Sequence, residues 1–504
     1  VKNFNPISLL AFFIVLYVAR NAIPYAIFLL IPLLFLFTLY QLVNIKEAKQ
    51  SFVRSVKIFC PVILLILIEL IALLCTVYPF KGLPLNFLKE IAFTSVFLFL
   101  LAHNVRSKHD FMILIEKIGK YFILFSIIVS LLGLWKFFYS PQFISYKYIS
   151  EMRHFRWGAS PVSDYNFFSL FLLNGLVFGL YMLLRSPEKI KYKAWLLVAL
   201  QLFIFVGFLS GSRRFFFFFG FFFIVCLLLL IPFLFKKAFA NKLSYKTLLL
   251  FLTLSVFNLV MLFSFLSYFP LISEKAEKIF FINSHKTNIN IQLVSYRINS
   301  AASSRLIKVD FFDKQISTPE DDLEKKVDDD ESIASTPFQK KDIVSVISSR
   351  KNLWTLSKKI FDEYTVVHKI FGDGFNFLKI FQKETERYFY PHHLFLSVLL
   401  FSGIIGLIIY IAVLLWSSII YLFHLKQLGD LFFLFVINFS FGFFSFTDFL
   451  GASFYALLFI FPFLYHYLHK KGESTKARKH EGASRFRPFA LSCFRPFVPS
   501  TSKL

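Results

Sequence analysis

The sequence predicts an all-α integral membrane protein with about 12 transmembrane helices, and three observations lead there. Of its 504 residues 57% are hydrophobic and 74 are Phe, more apolar surface than a soluble domain of this length needs to bury. The apolar residues come in runs near the ~20 residues that a helix needs to cross a bilayer. The formal charge of +25 is spread as short basic clusters between those runs. That is the pattern of loops facing anionic lipid, so membrane lipids are expected partners and nucleic acid is not.

Twelve runs meet the criterion: 6–19, 23–43, 56–78, 87–103, 119–138, 166–184, 194–210, 215–235, 247–270, 393–423, 430–447 and 452–468. The first is short, has no small-residue cleavage site, and reads as an anchor rather than a signal peptide. The fourth carries Lys89 and Glu90 near its start, and the tenth is long enough to tilt or to extend past the bilayer. Bases fill alternate loops: Lys46, Lys49, Arg54 and Lys57; Arg106, Lys108, Lys117 and Lys120; Arg185, Lys189, Lys191 and Lys193; Lys236, Lys237, Lys242 and Lys246. This asymmetry places both termini in the cytoplasm. The chain then divides into nine helices over 1–270, an outward loop over 271–390, three helices over 391–468 and a basic cytoplasmic tail over 469–504. In a Gram-negative cell the loop would face the periplasm.

The loop has two unlike parts. Residues 303–341 are acidic and poor in aromatics, the composition of a disordered insert. Its Asp328-Asp329-Asp330 run lacks the alternating ligands and central Gly of a calcium loop. From Val344 to Phe381 apolar residues recur at helical spacing (Val346, Leu353, Leu356, Ile360), which predicts helices on the membrane face. The tail repeats Phe-Arg-Pro-Phe, and its prolines argue against a helix. The four Cys show no metal-ligand spacing and imply no disulfide framework.

Several outward-facing groups have the chemistry of a site. Arg213 and Arg214 follow Leu209-Ser-Gly-Ser at the end of the seventh run. Arg156 and Asn166 belong to RWGASPVSDYN before the sixth, Arg350 opens the helical part of the loop, and His392-His393 close it. Each has a plainer reading: Arg213 and Arg214 as residues snorkelling to headgroups, Arg156 and Arg350 as surface residues, the His pair as a helix cap. Glu69, inside the third run, fits either ion coupling or a hydrogen-bonded structural role. Gly372-Asp-Gly374 lacks the strand and third Gly of a nucleotide loop. The Arg and His groups nevertheless share one face, at the level of lipid headgroups. Arg forks match phosphate oxygens, each contact at ~4 Å contributing about 4 kcal/mol at a surface-like dielectric. A neutral His would accept a proton from an attacking hydroxyl. This combination suits glycosyl transfer from a polyprenyl diphosphate.

These residues also carry a resemblance. His392-His393-Leu-Phe-Leu396 followed by Gly403-Ile-Ile-Gly406 resembles the signature of the O-antigen ligase/polymerase superfamily, lipid-linked glycan transferases of the bacterial envelope. Leu209-Ser-Gly-Ser-Arg213, RWG with Asn166, and Arg350-Lys-Asn-Leu-Trp354 with Gly372-Asp-Gly374 are similar to its other motifs, in order, over about 150–420. His393 stands where the family usually has Asn, and Phe401 where it often has an acid. The resemblance implies a GT-C-like glycosyltransferase of the inner membrane, active at the periplasmic face in lipopolysaccharide or polysaccharide biosynthesis. It implies a glycan donor on undecaprenyl diphosphate and lipid A–core or another glycan as acceptor, without metal or nucleotide cofactor. Arg213 and Arg350 would bind the diphosphate and His392 would be catalytic, with Arg156, Arg214, His393 and Asn166 in support. O-antigen polymerase is the near alternative, and a polysaccharide transporter or flippase is the alternative from another class.

Overall fold

In the computed structural model of the protein, the described residues are 5–20, 22–23, 26–43, 45–77, 83–138, 158–162, 165–185, 190–235, 242–280, 343–385, 391–443 and 453–480. Among the described residues each of the twelve apolar runs forms a helix, as lipid requires, since no water is present there to satisfy an unpaired backbone. In chain order these are α1 (Pro6–Ala19), α2 (Ala26–Leu42), α3 (Ile45–Leu74), α4 (Leu83–Asn104), α5 (Lys108–Phe138), α6 (Tyr165–Arg185), α7 (Ile190–Leu209), α8 (Arg213–Phe235) and α9 (Lys242–Phe280). The loop contributes α10 (Ile343–Glu363), α11 (Val366–Phe371), a 3₁₀ turn (Gly374–Asn376) and α12 (Phe377–Thr385). Then follow α13 (Leu394–Phe423), α14 (Leu425–Phe443) and α15 (Ser453–His480). No strand occurs among the described residues.

The number of spans is where length matters. Eight helices among the described residues are long and apolar enough to cross a membrane: α3 to α7, α9, α13 and α14. This makes the chain a helical, multi-pass membrane protein. α1 and α2 are as apolar but have only 14 and 17 residues. α1 is buried from Leu10 to Ala19 and works as an internal pillar. α2 instead turns Phe28 and Phe35 outward, 70% and 61% exposed, onto what would be lipid.

Several helices outrun their apolar segments. α3 begins eleven residues before the expected span, with Lys46, Lys49 and Arg54 on this extension. It breaks at Phe59 (φ −109°, ψ 17°), because the ring of Pro61 crowds the turn before it. α15 runs to His480, into the segment expected to be non-helical, since the first proline of that tail is Pro488. The 30 residues of α13 span about 45 Å at 1.5 Å per residue, against a hydrocarbon core of ~30 Å. The segments 281–342 and 481–504, including the acidic insert, lie outside the described residues.

The helices pack against neighbours both adjacent and distant in the chain. α1 lies on α5, α3 between α4 and α13, α6 between α5 and α7, and α13, α14 and α15 on one another. Bases of the α2–α3 and α4–α5 connections meet at one end of the bundle. There Arg54 donates to the carbonyls of Ala102 and Val105 at 3.0 and 2.8 Å, and Arg106 pairs with Glu47 at 3.3 Å. Towards the other end, Arg20 after α1 pairs with Glu90 of α4 at 2.5 Å, and Tyr17 donates to the same carboxylate. Glu90 therefore fits within a span because its charge is matched. Asn174 of α6 and Asn438 of α14, both buried, exchange amide hydrogen bonds at 3.4 and 2.8 Å. That pair fixes α6 against α14, the two helices that carry the two halves of the site.

Candidate functional site at the base-poor end of the bundle

The first half is a knot of turns between α7 and α8. Gly211 (φ +69°) lets the chain reverse there, and Ser210 Oγ donates to the Gly207 carbonyl at 2.6 Å. Ser212 Oγ accepts the Phe215 N–H at 3.2 Å, a cap for the first turn of α8, and donates to Asn166 Oδ1 at 3.0 Å. Gly158 (φ +80°) lies so close that an added Cβ would meet the Ser210 carbonyl at 3.1 Å. Ala159 N–H donates to the Leu209 carbonyl at 2.9 Å, and the buried Lys136 ammonium donates to the Ser160 carbonyl at 2.5 Å. Segments from three separate stretches of chain, around 158, 166 and 210, thus form one surface.

That knot aims Arg213 and Arg214 from the start of α8. Arg213 is exposed. Arg214 is half-buried, with its guanidinium carbon 5.2 Å from the centre of the Phe441 ring near the end of α14. Two residues further along α14, Phe443 packs its ring edge-on against His393, centroids 4.5 Å apart. The end of α14 therefore bridges the Arg pair and the His pair.

The two His residues do different work. His393 is the N-cap of α13: its Nδ1 accepts the Leu396 N–H at 3.4 Å, and its carbonyl accepts from Ser397 N at 3.0 Å. Its ring is clamped by Phe443 and by Trp354 of α10, the latter edge-on at 5.3 Å. Burial pushes its pKa below the usual imidazole value, so it stays neutral at neutral pH. With Nδ1 accepting, the inferred proton position is Nε2. His392 is the one non-glycine with positive φ (+52°) among the described residues and is half-buried. His is enriched at such positions, and the backbone there turns this residue away from the helix that follows. A residue held this way is a pointer to function.

The glycine motifs have a structural explanation. α13 is interrupted at Gly403 (φ +68°, ψ −168°), and the backbone of residues 370–372 sits against the gap so closely that a Cβ on Gly403 would collide with it. The Leu400 carbonyl, released by the break, accepts from Asp373 N at 3.2 Å and from the Tyr364 hydroxyl at 3.3 Å. Burial, reinforced by the Asp373 carboxylate, raises the Tyr364 pKa and keeps it a donor. Gly372 (φ +82°) and Gly374 (φ +56°) make the close approach, Gly374 against Thr76 and the Ala72 carbonyl at the end of α3. Gly406 lies against Ser402 and α3. Phe401, at the position where an acid is common in the resembled family, is buried against Phe375 and Phe87 at 4.7 and 5.1 Å. These glycines and this Phe dock the loop onto the membrane helices. Glu69 is buried on α3.

Of the expected site residues, Asn166, Arg213, Arg214, His392 and His393 are thus brought to one end of the bundle. Arg156 lies outside the described residues. Arg350 is on α10, one turn before Trp354, and its side chain lies outside the described part. Lys136 and the ring of Phe443 are in the site and escaped the sequence reading. The only signal for Lys136 is a lone base near the end of an apolar run, and Phe443 is one Phe among many. The arrangement offers cations, hydroxyls and a half-buried imidazole beside apolar walls, suited to a phosphate-bearing lipid. No protein-family model, curated protein or solved structure matches this chain.

Proposed function

We propose that the chain is a glycosyltransferase resembling O-antigen ligases, which moves a glycan from undecaprenyl diphosphate to a hydroxyl of lipid A–core. In this reading all twelve helices cross the inner membrane in a GT-C-like arrangement, and the base-poor end faces the periplasm. One observation carries the proposal: Arg214 and His393, 179 positions apart, pack against Phe441 and Phe443 on the same end of α14. Arg213 and Arg350 would hold the diphosphate, with Arg214, Arg156 and Asn166 shaping its surroundings. His392 would take the proton of the acceptor hydroxyl as its oxygen bonds to the anomeric carbon. The anomeric carbon–oxygen bond to the diphosphate breaks, and the leaving oxygen keeps the electron pair beside the Arg groups.

The test is a gel of surface polysaccharide from a deletion strain complemented with wild type or His392→Ala. Loss of long glycan on lipid A–core, with long lipid-linked chains accumulating in both the deletion and the variant, supports ligase. Acceptors carrying a single repeat unit would identify the O-antigen polymerase reading instead. Two separate features favour a second reading, a polysaccharide transporter or flippase: the interruption of α13 at Gly403 and the buried acid Glu69 on α3. Full rescue by His392→Ala together with failure of Glu69→Gln would select that reading.

A further inference from the structure

At the opposite end of α13 three imidazoles meet. His424 is the corner between α13 and α14, its carbonyl accepting from Gln427 N and Leu428 N at 2.9 Å. Its Nε2 is hydrogen-bonded to His466 Nδ1 of α15 at 3.5 Å, and its ring lies 4.7 Å from that of His469, one turn on. These residues, with Lys426 and Gln427, line a cavity of about 830 Å³ whose other walls are Leu422, Phe423 and Leu425. The apolar walls are open: Phe423 is 81% exposed and Leu422 56%. Such residues beside a membrane span contact acyl chains. Among the described residues no three His, Cys, Asp or Glu side chains converge as metal ligands. The lining of Lys426 and three imidazoles suits an anion.

We propose that this cavity binds the phosphate headgroup of an anionic phospholipid, with His424, His466, His469 and Lys426 around the phosphate and Phe423 and Leu422 along its chains. This site is independent of the transferase reading and lies at the basic end of the bundle. The rings are tilted to one another, His424 by 37° to His469 and by 50° to His466, and imidazole N–H groups and the Lys426 ammonium are hydrogen-bond donors suited to phosphate oxygens. The other charged groups nearby are Lys108 of α5, its ammonium 5.9 Å from the Tyr465 ring, Lys470 and Lys471 of α15, and Asp430 of α14. The bases keep the pocket positive, and the Asp430 carboxylate opposes them.

The experiment is native mass spectrometry of the full chain released from bilayers of equal phosphatidylglycerol and phosphatidylcholine, with parallel samples given inorganic phosphate. Wild type should retain phosphatidylglycerol preferentially. Each of His469→Gln and Lys426→Gln should lower that preference about fivefold, the fold-change expected for one headgroup-level charge. Lys46→Gln with Lys49→Gln, exposed bases on α3 at the same end, should leave it unchanged. Equal loss in that control would overturn a specific site in favour of a diffuse basic surface. Displacement of the lipid by millimolar phosphate would overturn lipid as the occupant. Because Lys426 is exposed at a helix start, its variant should fold, so an unaltered lipid preference in it would also overturn the proposal.

Discussion

His392 and His393 are adjacent, yet the fold gives them opposite tasks. His393 spends its Nδ1 on a helix cap and its ring on Trp354 and Phe443, so a proton on Nδ1 would break the cap. Its folded pKa lies below that of an exposed imidazole, so the unfolded chain binds the proton more readily. Stability from this residue is therefore present above pH ~6.5 and is lost as pH falls below it. Thermal melting in detergent should show that loss between pH 8 and pH 5.5, and His393→Asn, which keeps a capping group, should flatten it. His393→Ala should cost about 1 kcal/mol by removing the cap. Asn preserving glycan transfer while His392→Ala abolishes it would separate structure from chemistry. The pair was legible in the sequence as a possible cap or a site. Which His does which was not, because that depends on the φ of +52° at His392.

Among the elements, α13 and the loop that plugs it matter most. Gly403→Ala puts a side chain at φ +68° and against the backbone of residues 370–372. A cost of roughly 1–3 kcal/mol is expected, from strain at the positive φ, together with easier proteolysis in α10 to α12. Limited proteolysis of wild type and variant in micelles checks this, and equal cleavage rates would contradict the docking role. Asn438→Ala should cost about 1 kcal/mol, since Asn174 loses its buried partner. It should also weaken transfer if α6 and α14 hold the two halves of the site in register. Gly372-Asp-Gly374 and Gly403…Gly406 were each visible as small-residue motifs. Their meeting was not, because some thirty residues separate them and periodicity within a helix says nothing of its neighbours.

For the whole molecule, stability rests on apolar packing with a few buried charges matched in pairs. Arg20→Met leaves Glu90 buried without its cation and should destabilise by about 3–5 kcal/mol, whereas Arg20→Met with Glu90→Met should recover most of that loss. Unfolding followed by tryptophan fluorescence would distinguish the two variants, and equal loss in both would show that the pair is not coupled.

By itself the sequence determined an all-α membrane protein and the helical state of its described apolar segments, since both follow from local hydropathy. The resemblance further picked out residues around 158, 166, 210 and 392 as chemically special. Tertiary structure alone decided that α1 is an internal pillar too short for the span criterion, that Glu90 is tolerated through Arg20, and that the end of α14 joins Arg214 to His393. These are contacts between residues far apart in the chain, set by which helix faces which. In a chain apolar on nearly every face, hydropathy has too little contrast to choose the partners, so packing and a few polar pairs choose them instead.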